Sequence, residues 1–76
     1  MTRLPRVSGK ELIKFLEKQG FARVRQKGSH VSLRKRTPDK VFQTVIPLHK
    51  NLAMGTLSSI LRQCGISHEG FIKKFD

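Results

Sequence analysis

The chain has 76 residues and a mass of 8.7 kDa, which suits one small domain over residues 1–76 and leaves no room for a separate cofactor domain, a Rossmann unit or a barrel. Sixteen lysines and arginines against five acids give a net charge of +11, so the default ligands are polyanions: nucleic acid, an acidic protein or an anionic membrane. The membrane is the weakest of the three, because no run approaches the roughly 18 apolar residues of a spanning helix and Met1-Thr2-Arg3-Leu4-Pro5-Arg6 carries no apolar signal core.

The same arithmetic narrows the chemistry. One cysteine, Cys64, cannot form an intramolecular disulfide and points to a reducing, cytoplasmic setting. The acids Glu11, Glu17, Asp39, Glu69 and Asp76 are scattered, which argues against a nuclease whose carboxylates hold two metal ions. Three histidines and a cysteine show no metal-ligand spacing, and neither a metal nor a cofactor is expected. Five phenylalanines without tryptophan or tyrosine argue against a base-stacking platform of the RRM or OB type.

In chain order, residues 1–6 and the last one or two are the candidates for disorder. A helix is predicted over 8–19: Ser8 and Glu11 form a capping box, Val7 and Leu12 a hydrophobic staple, and Gly20 a left-handed stop with Phe21 folding back on Leu16. Leu12, Ile13, Phe15 and Leu16 share one face, and Lys10, Lys14 and Lys18 line the other. The period then falls to two. Residues 22–27 read as a half-buried strand, Gly28-Ser29 as a type II′ turn, and His30–Arg34 as a second strand with Val31 and Leu33 inward. Thr37-Pro38-Asp39 is a turn, and residues 41–46 form a third strand closed by Pro47. A loop follows whose Leu, Ala and Met are expected to pack on the body. From Gly55 or Thr56 a second helix places Leu57, Ile60, Leu61 and Cys64 on one face and ends at Gly65. Ser67 caps a short last helix with Phe71, Ile72 and Phe75. The expected class is α+β, ordered α-β-β-β-α-(α), with a three-stranded antiparallel sheet covered by helices on one face.

Arg23, Arg25, Lys27, Arg34, Lys35, Arg36 and Lys40 crowd residues 23–40 against one acid, Asp39. Such a run suits a polyanion and does not distinguish DNA from RNA. His30 follows the turn and is flanked by cationic strands. It is either an exposed residue touching phosphate or a general base for a ribose 2′-hydroxyl, since imidazole ordinarily titrates near neutrality. Position alone favours the first. Ser29 lacks a Ser-His-Asp context and reads as a turn residue, Cys64 as core, and His68 as a residue without a role.

Taken in order, Val7-Ser8-Gly9-Lys10-Glu11-Leu12, Leu16-Glu17-Lys18-Gln19-Gly20-Phe21, Arg25-Gln26-Lys27-Gly28-Ser29-His30-Val31, Val45-Ile46-Pro47-Leu48-His49 and the stretch from Gly55 to Ile66 resemble the HicA family of toxins over nearly all of the chain. The resemblance implies a fold like that of double-stranded-RNA-binding domains. It also implies a metal-independent endoribonuclease acting on mRNA and a HicB-type antitoxin that neutralises it. The family's catalytic histidine lies in its Gly-Ser-His motif, which falls on His30. The Pro-x-His after the third strand falls on His49. Arg25, Lys27, Ser29, Arg34, Lys35 and His49 are the expected RNA and phosphate contacts. The loop Lys50-Asn51-Leu52-Ala53-Met54 departs from the more polar stretch of many relatives.

Two readings without catalysis compete. A double-stranded-RNA-binding module fits the element order, yet such domains carry a lysine cluster at the start of the second helix, and here Ala53-Met54-Gly55-Thr56-Leu57 stands there with only Lys50 nearby. A basic module for an acidic protein fits the charge alone.

Overall fold

The computed structural model describes residues 4–75 and orders them as α1 (Gly9–Lys18), β1 (Ala22–Lys27), β2 (His30–Arg36), β3 (Val41–Pro47), α2 (Met54–Gln63) and α3 (His68–Lys74). This is the expected α+β order, compatible with a double-stranded-RNA-binding-domain-like fold. The strands form one antiparallel sheet in the order β1-β2-β3.

Local signals set the ends of α1. The Ser8 Oγ accepts from the Glu11 N–H at 3.1 Å, and the Glu11 carboxylate accepts from the Ser8 N–H at 2.9 Å. Both donors would otherwise be orphaned at the helix start. At the other end Gly20 adopts φ +99°, its N–H donates to Glu17 O at 3.1 Å and the Phe21 N–H to Leu16 O at 3.0 Å. This Schellman pairing turns the chain directly into β1.

Leu12, Ile13, Phe15 and Leu16 from α1, Val31 and Leu33 from β2, Ile46 from β3, Leu57, Ile60 and Leu61 from α2 with Cys64 at its C-cap, and Phe71 from α3 are part of one core. Each fully buried large side chain contributes roughly 1.5–3 kcal/mol against the entropy of ordering the chain. Phe15 meets Phe71 edge-on with centroids 4.9 Å apart and Phe75 at 6.0 Å, which seats α3 against α1, while Phe71 stacks on Phe75 at 4.8 Å. The hydroxyl of buried Thr44 donates to the Gln63 side-chain oxygen at 2.6 Å and ties β3 to α2.

Four expectations need correction. All six residues of β1 are exposed, not alternately buried. β1 is an edge strand, α1 and α2 pack against β3, and a bulge at Val24 breaks the alternation between Arg23 and Arg25. In the loop after β3 only Leu52 is buried and Leu48 half-buried, while Ala53 and Met54 point to solvent. The expected disorder of residues 1–6 fails at Leu4, which is buried in the core; residues 1–3 and 76 lie outside the described residues. His68 has a structural role: its Nε2 shares a 2.9 Å hydrogen bond with Ser58 Oγ, joining α3 to α2.

Candidate nucleic-acid interface

The β1–β2 turn is the organising feature. Gly28 takes φ +60° while Ser29 does not have a positive φ, which is the type II′ pattern. No atom stands within 4 Å of where a Gly28 side chain would begin, so backbone conformation alone calls for glycine there.

Register then fixes the neighbours of His30. It pairs with Lys27 on one side and Pro47 on the other. Ser32 pairs with Arg25 and Val45, and Arg34 with Ala22 and Gln43. Val31 and Leu33 are buried beneath the helices, so His30, Ser32, Arg34 and Arg36 stand on the open face by the two-residue period. The structure therefore brings Arg25, Lys27, His30 and Arg34 to one exposed cationic face. It does not bring Lys35 there. Lys35 is half-buried on the helix side, its Nζ 5.8 Å from the centre of the Phe21 ring. Arg23 is also diverted, with its Nε 3.4 Å from a Glu17 carboxylate oxygen.

His49 is placed by backbone contacts. The Leu48 N–H donates to Ser29 O at 2.7 Å, which extends the β2–β3 pairing past Pro47. The His49 carbonyl accepts from the Gly9 N–H at 2.9 Å, and the Leu52 N–H donates to Val7 O at 2.9 Å. The segments carrying Ser29-His30, Leu48-His49 and Ser8-Gly9 are thereby tied together main chain to main chain. Both histidine side chains remain exposed. A Cβ on Gly9 would overlap the Pro47 carbonyl oxygen and lie 3.0 Å from the Leu48 Cα. Gly9 thus permits the close approach, a role its sequence position inside a capping box did not signal.

Such an arrangement can hold a polyanion along the cations and present an imidazole to it from a rigid turn. Among the described residues, no three His, Cys, Asp or Glu side chains come together as a metal site. No helix among them is long and apolar enough to cross a membrane.

The fold and face define a class: a small α+β domain with a cationic sheet and a histidine at its rim. A family model described as the HicA toxin of bacterial toxin-antitoxin matches residues 9–66, about three quarters of the chain. The chain belongs to that family. It is the toxin of a toxin–antitoxin pair, which implies an antitoxin partner. Comparison with curated proteins gave no match. All of α3 lies beyond the matched span, although its Phe71 completes the core.

Proposed function

We propose that this toxin is an endoribonuclease that cleaves mRNA in the cytoplasm without a metal ion and is neutralised by a HicB-type antitoxin. The observation that carries the reading is the placement of His30, held exposed between Lys27 and Pro47 on a cationic face, in a chain that belongs to a toxin family.

His30 acts as general base and takes the proton of a ribose 2′-hydroxyl. The 2′-oxygen attacks the adjacent phosphorus, and the bond from phosphorus to the 5′-oxygen breaks. His49 or water protonates the departing 5′-oxygen, so the products are a 2′,3′-cyclic phosphate and a 5′-hydroxyl. Lys27, with Arg25 or Arg34, holds the phosphate and offsets the charge that builds on it. Ser29 lies at the same turn, within reach of a phosphate through its hydroxyl. Lys35, engaged with Phe21, is left out of this set.

The start of α2 presents exposed Ala53, Met54 and Gly55 and no lysine cluster, which supports cleavage over binding of duplex RNA alone. The test is an RNA oligonucleotide with a single 2′-deoxy residue at the cleaved position. Cleavage at that position should stop while neighbouring sites are cut as before. Undiminished cleavage there would remove the 2′-hydroxyl from the mechanism.

A further inference from the structure

We propose that the antitoxin seats on the open face of the sheet along β3, from Val45 to Val41, and that it presents there an acidic segment with apolar side chains. This rests on the antitoxin partner that the family implies and is independent of the ribonuclease reading.

Val24, Val41 and Val45 are 46%, 54% and 47% exposed, three of the four large apolar side chains left open among the described residues. Val41 and Val45 alternate with Phe42, Thr44 and Ile46, which turn toward the core, so both stand on the open face. Val45 lies across from Ser32, Ser32 lies across from Arg25 with bulged Val24 next to it on β1, and Val41 lies across from Arg36. Arg34 stands opposite Gln43 between them. No acid occurs in any of the three strands. The face therefore carries two exposed valines on either side of Gln43, set among arginines.

That chemistry selects a protein. Aliphatic β-branched side chains offer RNA neither a ring to stack on nor a hydrogen bond. Aliphatic side chains interleaved with arginines have the composition of a protein contact, where arginine is the enriched cation. A second copy of the chain would set arginines against arginines, each molecule carrying +11, so the complementary partner is acidic.

The face runs from Val45, level with Ser32 and close to the histidine, to Val41 at the far end of β2. His30 opens β2 and Val41 pairs with Arg36 at its far end, about 20 Å away at roughly 3.3 Å per residue. Substitution toward the Val41 end accordingly separates grip on the antitoxin from RNA cleavage.

The test is the double substitution Val41→Ser with Val45→Ser. Binding is titrated in a His30→Ala background against the purified antitoxin of the toxin's own module, and cleavage is measured in the wild-type background. The expected result is an antitoxin Kd weakened at least tenfold, with RNA cleavage within twofold and Tm retained. Unchanged antitoxin affinity overturns the proposal. A parallel fall in RNA affinity assigns the face to RNA, and loss of a self-association seen in wild type by sedimentation assigns it to a second copy; either overturns it. Gln43→Glu supplies a second reading if the double variant does not fold. A carboxylate amid the arginines should weaken an acidic partner, and tighter or equal binding contradicts the proposal. A toxin that cleaves no RNA defeats the ribonuclease reading and leaves this titration intact.

Discussion

Cys64 shows how position in the core decides the chemistry of a residue. It sits at the end of α2 among Leu57, Ile60 and Leu61, and burial pushes its thiol up to about 11. The thiolate is the reactive form, so the folded protein should resist alkylation at pH 8 and react at the rate of an ordinary thiol only in denaturant. Equal rates with and without denaturant would contradict the burial. The shift also has a sign for stability. The neutral thiol is favoured in the folded state, so the folded protein holds this proton through the pH range from 9 to 11 while the unfolded chain loses it. Stability should accordingly fall across that window, by about 2–3 kcal/mol from this group, and be unaffected by it below pH 9. Denaturant midpoints for the protein and its Cys64→Ala variant, compared at pH 8 and pH 10.5, read out the difference.

At the scale of elements, α1 is held at the site by one close approach. Gly9 lets the start of α1 rest on the Pro47–Leu48 backbone, whose next residue carries His49 and whose neighbour across the ladder carries Ser29. Gly9→Ala should cost about 1–3 kcal/mol as overpacking against main chain, which lowers Tm by several degrees in a chain of this size. Scanning calorimetry of the variant checks this, and an unchanged Tm would show that the junction yields freely. This contact was not legible in the sequence, because Gly9 and Pro47 meet only through the fold. The capping box at Ser8 and Glu11, the Gly20 stop, the type II′ turn at Gly28 and the inward Val31 and Leu33 were all legible, since each is a signal within a few residues. The exposure of β1 was not. Its alternation looked half-buried, and only the strand order and the bulge at Val24 reveal that the helical layer lies elsewhere. Lys35 likewise looked like its neighbour Arg34 until the strand's period turned it toward Phe21. The His68–Ser58 bond joins two helices, and no pattern within either one announces it.

For the whole molecule, charge dominates. With +11 on 76 residues, association with RNA should be steered by the field and weaken steeply with salt. If Arg25, Lys27 and Arg34 each neutralise one phosphate of single-stranded RNA, log affinity should fall against log salt with a slope of about −2. Affinities measured by titration between low and physiological salt give the slope, and a flat line would exclude the cationic face as the RNA contact. Val41 and Val45 of β3 stand on the same face, so one surface can serve substrate near the turn and antitoxin farther along the strand. The role of His30 is read out by growth and RNA integrity after inducing the toxin beside a folded His30→Ala variant. Catalysis by His30 predicts that the wild type arrests growth and degrades message while the variant does neither. Equal arrest by both with RNA left intact would contradict it, and would place the toxic action in binding by the cationic face.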